Sequence, residues 1–456
     1  MVSHLTMVYR QGQFKRPGGW LPDNPRVHIK WTRELLAELE ERRQSRGALR
    51  ADDRAWPVQD FDRVVKSSAR FRMLAAAMLI EVPNKEPYAS DPVGTSTIRD
   101  YEELLDAFDL IVKAKAPQWS MSEFNSNMIG FPFNAILDRP MATPSGYAFF
   151  LEPQINEKLK LILNAWRDNV LSTEKSLHVI STASNGWLNE KSLKIIEDET
   201  NVDGRHLKFT ELFDCDPIRD PAHWGFTSWD DFFVRRFKDI DTIRPVHFPT
   251  DTKWIANSCE SLPFARQTEV KEYDSFWLKG QPYSVAEMLN CEPRYTSRFV
   301  GGTVYQAFLS AMSYHRWHSP VKGDIVHATV IDGTYFSEPM ITDFNSTEDS
   351  QGYICHVATR AVFIIDTKDP VIGLVGAVYV GMADVSTCEI LEKFRGSLPV
   401  AVEKGEEIGM FHHGGSTHSL LFEKKVRLAW VSEASPETAT RNIPIRSALA
   451  YAYAAV

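Results

Sequence analysis

Met410-Phe411-His412-His413-Gly414-Gly415-Ser416-Thr417 joins two runs of strand-like sequence near the end of a 456-residue chain. Two glycines before a serine are a weak signal, because Gly-Gly-Ser supplies positive φ in many hairpins. The stretch is not a G-x-S-x-G nucleophile elbow, since His418 stands where that motif needs glycine. The glycine pair nevertheless permits a particular reaction. Without a Cβ at Gly415, the Ser416 hydroxyl can approach the carbonyl of the residue before it, and the backbone can take a strained geometry open to few other residues. A neighbouring base that removed the hydroxyl proton would let the oxygen attack that carbonyl and exchange the amide for an ester. Elimination of the ester would free residues 1–415 and leave dehydroalanine, which hydrolyses to a pyruvoyl group at the head of residues 416–456.

The base must come from elsewhere. Ser313-Tyr314-His315-Arg316-Trp317-His318-Ser319-Pro320 offers two histidines three residues apart, just ahead of a Val321-Lys322-Gly323-Asp324 turn. Histidine is the side chain whose proton affinity suits acid–base work near neutral pH. A hydrogen-bonded core histidine is the alternative reading of each. A metal pair is disfavoured: no Glu follows the first His in a zincin pattern and no third ligand is evident, so no metal is expected.

Taken in order, Phe232-Phe233-Val234-Arg235, Tyr314-His315-Arg316-Trp317-His318-Ser319-Pro320, Gly333-Thr334-Tyr335-Phe336-Ser337, Gly405-Glu406-Glu407-Ile408-Gly409 and Gly414-Gly415-Ser416-Thr417 resemble the phosphatidylserine decarboxylase family. The resemblance implies a zymogen that cleaves itself between Gly415 and Ser416. It also implies a pyruvoyl cofactor made from Ser416, no pyridoxal phosphate, and a role for His318 in both processing and catalysis. Where the family carries Pro-Ala-Asp-Gly, whose Asp completes an Asp-His-Ser triad, this chain reads Ser258-Cys259-Glu260-Ser261. Glu260 is therefore expected to orient His318 and stabilise its imidazolium. That departure, together with Gly186-Trp187-Leu188-Asn189-Glu190 and Gly381-Met382-Ala383-Asp384-Val385-Ser386-Thr387-Cys388-Glu389, is similar to a branch of the family that acts on a soluble amino acid. It implies decarboxylation of an aromatic L-amino acid, tryptophan first, to the arylalkylamine. The ketone would take the substrate amine and receive electrons as CO2 leaves, with His318 the first choice for returning a proton to the α-carbon. His315, His412 and His413 are candidates to line the pocket. Competing readings are the same chemistry on phosphatidylserine, a serine hydrolase built on Ser416, His318 and Glu260, and a carrier module suggested by the Val321-Lys322-Gly323-Asp324 and Val402-Glu403-Lys404-Gly405-Glu406 turns.

Composition narrows the field further. A formal charge of -9 argues against a nucleic-acid partner and against adsorption to an anionic membrane. Residues 1–15 lack the apolar core of a secretory signal. The longest apolar run, residues 73–80, is far shorter than the roughly 18 residues a membrane span needs, so no stable membrane insertion is expected. Five scattered cysteines without a C-x-x-C pair predict reduced thiols in a cytoplasmic protein. Its expected partners are a small-molecule amino acid and its own two cleaved chains.

Periodicity then divides the chain. Residues 1–30 are a polar arm rich in Gly and Pro. Helices are predicted from Trp31 with Leu35, Leu36 and Leu39 inward, over 58–82 with a terminator at 83–92, over 98–112 with Leu104, Leu105, Phe108 and Ile111 inward, and from Pro153 to about Leu171 with Leu159, Leu161, Ile162 and Trp166 inward. Asn189 is a predicted N-cap for 190–200. Ser228 with Asp231 makes a capping-box-like start to a helix whose end suits Arg235 and Arg236. After about residue 240 the period falls from 3.6 towards 2, and strands are predicted at 325–331, 361–365, 371–380 and 426–431. The length predicts more than one packed unit. The expected fold class is α+β: a mostly helical N-terminal region (1–180), a helical connector (181–239) and a β-rich pyruvoyl-decarboxylase domain (240–456).

Overall fold

A computed structural model describes residues 21–22, 25–46, 53–81, 97–120, 127–274, 283–337, 351–382, 384 and 387–454. Helix α1 (Pro25–Arg46) starts inside the stretch predicted as an irregular arm and buries Leu35 and Leu39. The block predicted over 58–82 is two helices, α2 (Trp56–Ser67) and α3 (Ala69–Ile80). Ser68 separates them: its backbone is extended (φ -121°, ψ 126°) and its hydroxyl accepts the Phe71 N–H, so it ends one helix and caps the next. The terminator at 83–92 lies outside the described residues.

α4 (Tyr101–Ala114), capped by Asp100, buries Leu104, Leu105, Phe108 and Ile111 as its spacing requires. A short hairpin of β1 (Gln118–Ser120) and β2 (Asn127–Ile129) follows, then α5 (Pro132–Leu137) and α6 (Pro144–Phe150). α7 (Pro153–Trp166) buries Leu159, Ile162, Leu163 and Trp166, with Leu161 only half-buried, and passes into a π turn over Arg167–Leu171. α8 (Glu190–Thr200) begins where predicted, because Asn189 Oδ1 accepts the Lys191 and Ser192 amides at 2.9 and 3.1 Å. The helix Trp229–Phe233 is likewise capped by Ser228, but the Asp231 carboxylate returns to the Thr227 N–H at 2.9 Å, one residue earlier than a capping box places it.

Strands take over from β3 (Trp254–Ala256) and β4 (Leu262–Thr268) onward. They continue as β5 (Thr303–Leu309), β6 (Arg316–His318), β7 (Gly323–Ile331), β8 (Arg360–Asp366), β9 (Leu374–Gly381) and β10 (Thr387–Ile390). The last are β11 (Val400–Val402), β12 (Glu407–His412), β13 (Ser416–Phe422), β14 (Val426–Trp430) and β15 (Ala448–Ala454). The four predicted strands are β7, β8, β9 and β14, with residues 371–373 left outside β9.

The fold is α+β. Seven strands form one antiparallel sheet in the order β11-β7-β8-β9-β13-β5-β4, and three form a smaller sheet, β10-β12-β6. The two pack through Trp317 of β6, which stacks on Tyr379 of β9 at 4.3 Å and meets Phe411 of β12 edge-on. A third sheet, β14-β15-β3, adds the end of the chain. One apolar cluster runs through helices and strands together: Phe133 and Phe150 pack on Phe336, and Trp166 packs on His413. Every residue of β13, near the middle of the large sheet, is buried.

Candidate active site

β12 and β13 are consecutive in sequence but lie in different sheets, so the chain crosses between layers at residues 413–415. It turns there on left-handed backbone at His413 (φ 31°) and Gly414 (φ 113°). The unusual φ expected of the glycine pair thus falls on Gly414 and on a histidine, for which this region is strained. Gly415 contributes its carbonyl, whose oxygen accepts the Met382 N–H at 2.8 Å. Ser416 opens β13 opposite Leu309 of β5 and Gly381 of β9. It is fully buried, and its Oγ has no hydrogen-bond partner among the described residues. Leaving a buried hydroxyl unpaired costs about 1–3 kcal/mol, and Ser416 Oγ is not held in place by hydrogen bonding within the described fold.

His318 closes β6 and is buried. Its Nδ1 lies 2.8 Å from the Gly405 carbonyl oxygen; a carbonyl only accepts, so Nδ1 carries the proton and Nε2 the lone pair. Nε2 has no partner. Burial brings the His318 pKa down to about 4 against the opposing pull of the Gly405 carbonyl, so the ring is neutral and able to accept a proton. Among the described residues no hydrogen bond joins it to Glu260. That carboxylate is buried and hydrogen-bonded to Nε of Arg244, which also donates to the Thr200 carbonyl at 2.7 Å. Burial raises the Glu260 pKa and Arg244 resists the rise. The expected Ser416-His318-Glu260 relay is therefore not joined by hydrogen bonds: a backbone carbonyl holds the histidine and an arginine holds the acid.

His315 is wedged into the core, its ring stacked on Phe233 at 3.8 Å and its Nε2 3.1 Å from the Ser310 carbonyl. Burial, reinforced by Arg235, lowers its pKa well below the usual histidine value. Arg235 is not a surface partner of a helix dipole: it is buried against the rings of Phe213 and Phe232 and donates to the Met312 and Ser313 carbonyls, fastening the turn before β6. Arg236 is exposed and reaches Glu407 at 3.3 Å. His413 is buried with its ring 5.7 Å from that of Trp166, and burial brings its pKa down to about 4.

His412 is held as a strut between two carboxylates. Its Nδ1 lies 2.9 Å from both carboxylate oxygens of Asp230, and its Nε2 lies 2.8 Å from Glu389. Burial disfavours the charged ring, the two acids outweigh burial, and the pKa rises to about 9. The imidazolium ties the strand before the turn to the Trp229–Phe233 helix and to β10. Because the folded value lies above the ordinary 6.5, this contribution to stability is complete below that pH and is lost as pH rises through about 9. The melting temperature of the wild type is expected to fall more steeply from pH 6.5 to about 9 than that of His412→Asn, which lacks the step. Parallel curves would show that the strut carries no charge.

Sequence reasoning missed four participants. The Met382 amide and the Gly405 carbonyl are backbone groups, with no residue signature. Asp384 (φ 62°) is buried and accepts the Phe133 and Asn134 amides at 3.0 and 3.1 Å, so it ties the loop after Met382 to the start of α5. His418, noted only for breaking the elbow motif, is buried on the same face of β13 as Ser416, which a period of two could have revealed. Among the described residues, no group of three His, Cys, Asp or Glu is placed to hold a metal ion. The five cysteines are unpaired.

Comparison with known proteins gives the class of this site. Residues 229–438 match the family model for phosphatidylserine decarboxylase, and residues 55–196 match a second model of the same description. The chain is 31% identical over 448 residues to the L-tryptophan decarboxylase of Psilocybe cubensis, covering 94% of each chain. It is 38% identical over 306 residues to decarboxylase iboD of Amanita muscaria (strain Koide BX008), covering 64% of this chain and 84% of that one. Phosphatidylserine decarboxylase proenzyme 3 of Schizosaccharomyces pombe is 32% identical over 203 residues, 44% of this chain and 19% of that one. The protein is a decarboxylase, a carboxy-lyase with a small-molecule substrate. It belongs to the phosphatidylserine decarboxylase family, a pyruvoyl-dependent family.

Proposed function

We propose that the chain cuts itself between Gly415 and Ser416 and then decarboxylates an aromatic L-amino acid, with L-tryptophan to tryptamine the first candidate. The observation that carries this reading is the buried, unpartnered Ser416 hydroxyl beside a carbonyl that accepts the Met382 N–H at 2.8 Å. That N–H meets the oxygen on which charge develops when Oγ adds to the Gly415 carbonyl carbon. His318 accepts the hydroxyl proton at Nε2, the nitrogen left open by the Gly405 carbonyl. No hydrogen bond joins the two groups in this fold, so closure of Nε2 onto Oγ is part of the step. The C–N bond between Gly415 and Ser416 breaks, its nitrogen takes the proton from His318, and an ester links Gly415 to Oγ. Loss of the Ser416 α-proton expels the Gly415 carboxylate, and water converts the remaining alkene and nitrogen to a ketone and ammonia.

A pyruvoyl ketone at residue 416 supplies the electrophile for a substrate amine and the sink for the electron pair left as CO2 departs. Ser416 fits that group: it is shielded from water, it is held between β5 and β9, and its neighbour Gly381 has no side chain to crowd a ketone. The choice of tryptophan rests on the Psilocybe cubensis relative, matched over 94% of both chains. No helix among the described residues is long and apolar enough to cross a membrane, and a formal charge of -9 offers anionic lipid no attraction. Both suit a dissolved substrate and a cytoplasmic enzyme.

The lipid substrate is the second reading, favoured by the descriptions of both matching models. Purified protein given L-tryptophan is expected to release tryptamine, while vesicles of phosphatidylserine yield no phosphatidylethanolamine. The reverse pattern would replace the amino acid by the lipid. Activity from a chain that keeps its full 51.9 kDa mass would remove the pyruvoyl group altogether.

A further inference from the structure

Successive residues of β13 face opposite sides of the large sheet. On one side the polar groups are satisfied: Thr417 Oγ1 donates to the Ala307 carbonyl at 2.9 Å and accepts Gln306 Nε2 at 3.0 Å, and Ser419 Oγ meets Cys355 Sγ at 3.6 Å. On the other side lie Ser416 and His418, and neither is satisfied. His418 is 0% exposed, and among the described residues both its Nδ1 and its Nε2 lack a partner. His315, His318 and His356 are also buried, yet each has at least one hydrogen bond.

The surroundings of His418 are aromatic. Ring centres of Tyr379 and Tyr305 lie 6.3 and 6.2 Å away, and the Tyr379 hydroxyl is engaged by Ser258. A hydrocarbon would fill such a place without leaving two nitrogens dry, as Leu420 and Phe422 do further along the same face. Packing therefore gives no reason for an imidazole here. Proximity to residue 416 does, since same-face residues two apart on a strand sit about 7 Å apart, a gap that an amino acid held at residue 416 can bridge.

We infer that His418 is a catalytic residue, the group that delivers a proton to the substrate's α-carbon as CO2 leaves. The inference rests on the reading of Ser416 given above. The substrate's ammonium must lose a proton before its nitrogen can attack a ketone, and the unbonded His418 ring accepts it. The carboxylate brought into the same dry space favours the imidazolium so formed. The bond from the α-carbon to the carboxylate then breaks, its electron pair stays with the organic fragment, and the His418 proton makes the new C–H bond. His418 returns to neutral, and the product leaves as an amine that takes a proton from water. His318, across in the smaller sheet, is left to the maturation step.

His418→Gln and His418→Leu test this. Both precursors are expected to cleave as the wild type does, and kcat should fall on the order of 10²–10⁴-fold with KM little changed. His418→Leu should melt above the wild type, because an apolar side chain relieves the unpaired nitrogens. Without a guided proton, some turnovers should protonate the ketone carbon instead. That leaves alanine at the head of the 416–456 chain and releases an aldehyde, both read by mass spectrometry. A cleaved His418→Gln enzyme with wild-type kcat and no added alanine would overturn the role. So would a His418→Leu protein whose melting temperature falls and whose activity merely tracks its folded fraction. A folded His418→Gln precursor that stays whole would place the residue in maturation and overturn it equally. A wild-type chain that never cleaves would instead remove the reading of Ser416, and the role of His418 with it.

Discussion

Replacing Ser416 by alanine is expected to leave the chain whole at 51.9 kDa and without decarboxylase activity. The substitution removes one oxygen, and in the proposed reaction that oxygen is both the nucleophile of the cleavage and the atom whose loss creates the ketone. Misfolding would give the same two losses, so the structure's distinction between them matters. The hydroxyl has no partner and no exposure, and alanine keeps the Cβ that packs beside Gly381. Deleting an unpaired buried hydroxyl leaves no orphaned partner behind, so the variant should melt at or above the temperature of the uncleaved wild type. Intact mass, a melting curve and a product assay on one preparation decide the matter. A cleaved or active Ser416→Ala protein would place the chemistry elsewhere.

His318→Ala is expected to slow cleavage on the order of 10²–10⁴-fold, the usual worth of a positioned base. His318→Asn is the sharper variant. Its side-chain amide can still donate towards the Gly405 carbonyl, which preserves that contact, but nothing remains at the position of Nε2 to accept a proton. Equal arrest in both variants identifies the lone pair, and not the packing, as what is lost. With the wild-type ring titrating near 4, cleavage should hold steady above that pH and fail only below it. A His318→Ala chain that matures normally but cannot turn over substrate would move the residue from maturation to catalysis.

The sequence shows the site best where the chemistry is local. Gly415 and Ser416 are adjacent, and an acyl shift needs adjacency and a base, so the proposed scissile bond could be named only when those four residues were read together with the histidines of residues 315–318 upstream. His318 could be singled out by its motif, but its protonation state could not, because the group that fixes it is a main-chain carbonyl brought from residue 405. Glu260 shows the limit of matching motifs one position at a time. The carboxylate stands in the expected place in the sequence, and Arg244 claims it in the fold. His412 was legible as a polar residue beside the turn, whereas its two acids come from residues 230 and 389, separations that no periodicity reports. The helices were legible from their stripes. The break at Ser68 was not, because a single capping serine inside an apolar run alters neither the stripe nor the composition. The smaller sheet escaped for a related reason: β6 has three residues and β10 four, too few for alternation to register.

The proposed cut would divide the sheets between two chains. β13 lies after the cut and is paired on both sides with strands that lie before it, and β15 is paired with β3 in the same way. The proposed cleavage would therefore leave the β13 and β15 ladders in place while removing the covalent tether that brought the strands together. Before the cut, refolding is a search within one molecule. Afterwards it requires a short fragment to find its slot in a second chain, at a rate set by concentration. Heat should thus inactivate the mature enzyme in one direction, with a midpoint that depends on how fast it is heated, whereas the Ser416→Ala precursor keeps a route back.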